Sequence, residues 1–174
     1  GGAEIGPYLE RIQRAARAQV LMLATDRVTG AAILRQARQR GITLPVMGGD
    51  ALSGIQSEGA LAEGVYFTSG YLPDRPGEAN AAFVRAYGAA NNGERPDHRG
   101  AGAYDAVHLI ADAIRDAGTR RAAIRDALAA VGTSRPAYDG VTGRIAFDPR
   151  GDVPDKTVVI GVVREGRIVP VETR

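Results

Sequence analysis

Apolar positions along the chain change their spacing in a way that separates strands from helices. Pro7 stands where the first turn of a helix accepts it, and Tyr8, Leu9 and Ile12, then Ala15 and Ala16, continue one apolar face with Arg11, Arg14 and Arg17 opposite. Gln19 to Ala24 is a nearly continuous apolar run, the pattern of a strand covered on both faces in a parallel sheet, with Thr25-Asp26-Arg27 as its C-terminal loop. Ile33, Leu34 and Ala37 return to helical spacing, arginines crowd the last turn, and Gly41 follows where a cap needs positive φ. The pattern predicts a helix from about Thr29 to Arg40. Leu44 to Met47 is the next short strand, ended by Gly48-Gly49-Asp50, and Gly64 to Tyr71 is another. Strand, helix and strand in parallel order demand a right-handed crossover.

Pro73, Pro76 and Gly77 then break the pattern, and helical spacing dominates as far as Val131. Phe83, Ala86 and Tyr87 mark one helix. Tyr104, Val107, Ile110 and Ile114 mark the apolar face of a second, with Asp105, His108, Asp112 and Arg115 opposite, and Ile124, Ala127, Leu128 and Val131 mark a third, closed by Gly132. Strands return at Gly143 to Phe147, Thr157 to Val163 and Arg167 to Val171, the last two joined by the hairpin turn Arg164-Glu165-Gly166.

Composition narrows the function classes. At 174 residues with 44% apolar side chains, the chain buries a substantial core. A formal charge of +2 from 22 basic and 20 acidic residues gives no electrostatic case for nucleic acid. Cysteine is absent, which excludes disulfides, thiolate nucleophiles and cysteine metal sites. No apolar run approaches the roughly 18 residues of a membrane span. No signal peptide is visible, and the Gly1-Gly2 start reads as a cut or a processed end.

Catalytic and cofactor patterns fail in turn. The two histidines, His98 and His108, have no second histidine or cysteine at metal-ligand spacing, and His108 between Asp105 and Asp112 reads as a surface ion pair. Gly100-Ala101-Gly102-Ala103-Tyr104-Asp105 lacks the third glycine and the preceding strand of a dinucleotide loop. There is no Walker loop and no nucleophile elbow. Asp148, Asp152 and Asp155 do not match a calcium loop and read as a solvated turn, and Arg150-Gly151-Asp152 is a tripeptide that occurs often by chance. The expectation is therefore a protein with no catalytic residue, no metal and no cofactor.

One carboxylate stands out. Asp50 follows a short strand, and in open α/β sheets ligands sit beyond the carboxyl ends of strands. It has two readings: a contact to a ligand ammonium, or a cap on a short helix that begins near Ala51.

Several segments together resemble the C-terminal half of type I periplasmic solute-binding proteins of the branched-chain amino acid and amide class, the Leu/Ile/Val-binding family. They are Ile33-Leu34-Arg35-Gln36-Ala37-Arg38 ahead of Gly41, Val46-Met47-Gly48-Gly49-Asp50, Glu63-Gly64-Val65-Tyr66 and Ala82-Phe83-Val84-Arg85-Ala86-Tyr87. Tyr104-Asp105-Ala106-Val107, Gly140-Val141-Thr142-Gly143 with Phe147-Asp148, and Gly151-Asp152 ahead of the valine-rich hairpin follow in order. The resemblance implies an α/β fold of parallel sheets flanked by helices, in an incomplete two-lobe architecture. Residues 1–71 would belong to the ligand-binding second lobe, 72–156 to a helix-rich first lobe, and 157–174 would return to the second.

In that family two lobes close on a small ligand, and an acidic residue meets its amino group. The resemblance gives that role to Asp50 beside Gly49, with Thr25 and Asp26 at the neighbouring strand end as further contacts. It implies the periplasmic or extracytoplasmic solute-binding component of an ABC transporter, taking an amino acid, amide or related small polar molecule and delivering it to a permease. The family runs to about twice this length, so the reading is of a fragment that lacks the N-terminal half. Such a fragment would expose sheet edges and apolar surface and would pair with the missing half or exchange elements with a second copy. Two rival readings are a ligand-sensing receptor domain of the same fold and, with least support, a small α/β enzyme.

Overall fold

A computed structural model describes residues 5–15 and 17–171. The Gly1-Gly2 start and the Ala16 position on the first helical face lie outside the described residues. In chain order the elements are α1 (Gly6–Arg14), β1 (Leu21–Leu23), α2 (Arg27–Gln39), β2 (Val46–Gly48), β3 (Val65–Ser69), α3 (Glu78–Ala90), α4 (His98–Ala117), α5 (Arg121–Ala129), β4 (Tyr138–Gly140), β5 (Gly143–Ile145), β6 (Val159–Arg164) and β7 (Arg167–Pro170). Two 3-10 segments, Asp50–Leu52 and Ile55–Ala62, connect β2 to β3. The chain divides into two units, Gly1–Ser69 with Val159–Arg174, and Gly70–Val158.

The first unit is a sheet in the order β1-β2-β3-β6-β7, parallel across β1, β2 and β3 and antiparallel thereafter. Val46, Val65 and Phe67 are buried along it, and α2 packs through Gly30, Ala31, Leu34 and Ala37. Leu9 of α1 joins Ala37 and Ile42 in the same core. β2 begins two residues later than the apolar pattern predicts, because Pro45 has no N–H to give the ladder and only its carbonyl takes part, accepting from Leu21. β1 is not covered on both faces: Leu21 and Leu23 are buried, but Met22 is 58% exposed. It is one of the two edge strands of the sheet. The β6–β7 hairpin turns on two residues, Glu165 at φ 52° and Gly166 at φ 71°, the pair of positive values that matches strand twist.

The second unit packs α3, α4 and α5 with the β4–β5 ribbon around two small cores, one of Tyr71, Phe83, Ala101 and Val141, the other of Leu109, Val131 and Ile145. Burial pushes the Tyr71 phenol up to about 12, and its hydroxyl donates to Asn80 Oδ1 at 2.7 Å. Asn80 in turn donates to the carbonyls of Pro73 and Arg75, which fixes the Pro73–Gly77 break against the start of α3.

Helix α4 turns the opposite way from the apolar pattern. Its buried stripe is Ala101, Asp105, Leu109 and Ala113, while Tyr104, Val107, Ile110 and Ile114 stand exposed. Two alanines let the helix approach closely, and Asp105 finds partners inside, so packing selects the less apolar face. His108 accordingly does not sit between two carboxylates. It packs at a tilt against Tyr104 with ring centroids 4.3 Å apart, while Asp112 pairs with Arg115. Among the described residues no helix is long and apolar enough to cross a membrane.

Candidate ligand-binding site

The register of the first sheet brings two sequence-predicted loops to one end. β1 and β2 run parallel with Leu23 opposite Gly48, so the chain leaves both strands side by side, into Thr25-Asp26 on one and Gly49-Asp50 on the other. This is the end of an open α/β sheet at which ligands gather.

Leu52 sets the corner after β2. Its side chain is fully buried and fills the space over two glycines: a Cβ on Gly48 would lie 2.2 Å from Leu52 Cδ1, and one on Gly30 would lie 2.7 Å from Cδ2. Gly48 and Gly30 are therefore required by packing, and Leu52 ties the turn to both the sheet and α2. Further along, Arg27 donates to Glu58 at 3.2 Å and Arg35 pairs with the same carboxylate at 3.5 Å, which holds the second 3-10 segment along α2. Gly49 differs from Gly48: a Cβ there would meet nothing within 4 Å, so its surface is open to an approaching group. Asp50 is exposed and is itself the first residue of the 3-10 turn, with Gly49 in the N-cap position, one residue earlier than the sequence pattern predicts.

Asp26 is also exposed, but its carboxylate caps α2. Oδ1 accepts from the amides of Val28 at 2.9 Å and Thr29 at 3.1 Å, and Oδ2 accepts from the Thr29 hydroxyl at 2.9 Å. The helix therefore starts at Arg27 and not at Thr29. The Thr29 amide, followed by its hydroxyl, holds the Asp26 carboxyl below the usual carboxylate range. A carboxylate with a lowered pKa stabilises the fold above its unfolded value and loses that contribution as pH falls through the folded one. The thermal midpoint gap between wild type and Asp26→Ala should be widest near neutrality and close as pH drops below about 4. A gap that does not change with pH would rule out the capping account.

The arrangement favours a cation. The first amides of α2, the groups that would attract an anion, are already bonded to Asp26, and Asp50 adds a second carboxylate at the same sheet end. Nothing in it suggests catalysis, and the described residues hold no cluster of three or more metal-binding side chains.

A buried site in the second unit was not legible in the sequence. Asp105, 1% exposed, accepts from the amides of Val141 and Thr142, both at 2.9 Å, and from the Thr142 hydroxyl at 2.6 Å. Lys156, the sole lysine, donates to the same hydroxyl at 2.6 Å, and burial lowers its pKa. A Cβ on Gly140 would strike the Asp105 carboxylate at 2.4 Å. The spacing of four from Ala101 through Asp105 to Leu109 was the available signal.

The fold has known counterparts. The family model described as "Periplasmic binding protein" matches residues 1–167. The chain belongs to the periplasmic binding protein family. This is a family of binding proteins, not of enzymes, and the α/β fold is its type I architecture. A leucine-binding protein of Thermotoga maritima is 26% identical, with a TM-score of 0.84 over 99% of this chain and 49% of that one. A branched-chain amino acid transporter substrate-binding protein of Streptococcus pneumoniae, solved with isoleucine, is 27% identical, with a TM-score of 0.80 over 97% and 49%. A putative branched-chain amino acid ABC transporter protein of Rhodospirillum rubrum is 32% identical, with a TM-score of 0.74 over 98% and 49%. The chain thus spans about half the length of the solved relatives it matches. Among curated proteins, none matches.

Proposed function

We propose that this chain supplies the ammonium-recognising side of the solute site in an ABC-transporter binding protein, with an amino acid or a related amino compound as ligand. The observation that carries the reading is the parallel β1–β2 register, which sets Asp50 beside the Thr25-Asp26 loop at one sheet end with open space over Gly49. Asp50 accepts from the ligand ammonium, Gly49 lets the ligand approach the backbone, and the Thr25 hydroxyl flanks it. Asp26 contributes field from its capping position. An isoleucine-bound relative supports the ligand class. Membership of the family implies an extracytoplasmic location, and the partner in this reading is the membrane permease that receives the ligand.

The test uses the full-length protein, titrated by calorimetry with amino acids, short amides, urea and aromatic acids. Asp50→Ala should weaken an ammonium-bearing ligand by about 1.5 to 3 kcal/mol, the range for a hydrogen bond to a charged group. Gly49→Ala adds a methyl into open space, so it should leave the melting temperature unchanged while lowering affinity. Unaltered affinity in both variants, with lowered stability in Asp50→Ala, would replace ligand binding by a structural role for this corner. Absence of any binding at millimolar concentration would count against the family role itself.

A further inference from the structure

A groove of about 830 Å³ runs between α5 and the Phe147–Gly151 turn in the second unit. Its floor is apolar, with Ile124 and Leu128 from the helix and Phe147 and Pro149 from the turn. Leu128 and Phe147 also pack inward against the Leu109, Val131 and Ile145 core, so the floor is held from behind. The turn is equally fixed. Asp148 accepts from the amides of Arg150 at 2.8 Å and Asp152 at 2.9 Å, and Gly151 takes φ 87°.

The rim is cationic. Arg121, Arg125 and Arg150 line it together with Asp148, and with Asp126 beside Arg125 the three positive charges still outnumber two carboxylates. Arg125 and Arg150 pair with Asp126 and Asp148, but both arginines are at least three-quarters exposed, and such pairs exchange readily. Arg121 forms no ion pair among the described residues. It is also the first residue of α5, a helix with no side-chain cap and no acid in its first turn. A cation at a helix N-terminus opposes the helix dipole, so Arg121 gives the helix nothing and an incoming carboxylate would relieve it. No residue of α5 is fully buried, which leaves its groove face without a cover.

We propose that this groove docks an acidic, amphipathic segment of a partner protein. Aliphatic or aromatic anchors of that segment lie on Leu128 and Phe147, and its carboxylates meet Arg121 and Arg150. A protein segment fits better than a lipid surface because the apolar residues form a recessed floor. A membrane-seeking element projects its apolar side chains beyond its basic ones. The site lies within the second unit and stands independently of the Asp50 reading.

The test is selection from a displayed library of random peptides against the full-length protein, followed by anisotropy titration of the enriched sequences. Enriched peptides should combine Asp or Glu with Leu, Phe or Trp. Their affinity should fall about tenfold or more in the double variant Arg121→Glu/Arg150→Glu, and should weaken at ionic strengths near 1 M. Both side chains are exposed, so circular dichroism should report an unchanged fold, and the milder Arg121→Gln/Arg150→Gln pair should give an intermediate loss. Absence of any enriched peptide, enrichment without acids, or equal binding to the charge-reversed variant would overturn the proposal. So would arginine-dependent binding to phosphatidylglycerol vesicles with none to the peptides.

Discussion

Asp105→Ala is expected to cost the second unit about 2 to 5 kcal/mol, because two buried amides are left without an acceptor and a hydroxyl bond is lost. The carboxylate lies on α4, while its partners, Val141 and Thr142, lie in the β4–β5 connection 36 and 37 residues later. Removing it therefore unties a helix from a ribbon and empties the space under Gly140, where no other residue type fits. Water can reach such a site only by opening the ribbon, since Val141 and Thr142 are themselves buried. Asp105→Asn separates charge from shape: it keeps one acceptor oxygen but turns an amide group toward the second N–H, and should fall between wild type and Ala. The measurement is the denaturant midpoint, with hydrogen exchange at the Val141 and Thr142 amides. An unchanged midpoint with faster exchange confined to those two amides would show that the ribbon is held by the Ile145 and Val131 contacts instead.

This site marks the boundary of what the sequence makes legible. Local rules served where the backbone itself decides. Gly41 takes φ 72° at the close of α2, and Glu165-Gly166 forms the two-residue hairpin that the turn residues predict. The order of β1, α2, β2 and β3 and the parallel pairing of β1 with β2 also follow from the element order, although β1 is covered on one face only. The inward face of α4 does not, because periodicity points the most apolar stripe inward. Packing instead chose Ala101, Asp105, Leu109 and Ala113, for close approach and for the amides waiting on the ribbon. The start of α2 carries a local signal as well: an aspartate directly before a helical pattern is an N-cap, and Asp26 places the helix at Arg27. At the corner after β2, Asp50 could be singled out from strand-end position. The residue that positions it could not, since Leu52 touches Gly48 and Gly30 only once the strand and helix have met.

Leu52→Ala is expected to destabilise the first unit by about 2 to 5 kcal/mol, the range for deleting a fully buried leucine and leaving a cavity. Gly48→Ala should cost about 1 to 3 kcal/mol for the opposite reason, because its new methyl is driven against Leu52 Cδ1 and the Leu23 carbonyl. The two defects are complementary in volume, so the double variant should be less unstable than the sum, with a coupling of about 0.5 to 3 kcal/mol. Strict additivity in chemical denaturation would mean that the corner has relaxed away from this geometry. Leu52 also reaches function in the proposed reading, since it lies two residues beyond Asp50 in the same 3-10 turn. Its truncation should lower ligand affinity in the full-length protein although the side chain is buried and contacts no ligand, and the compensating Gly48→Ala change should restore part of it. Affinity that follows Asp50→Ala but ignores Leu52→Ala would separate recognition from positioning, and would assign the orientation of Asp50 to the Gly49 backbone alone.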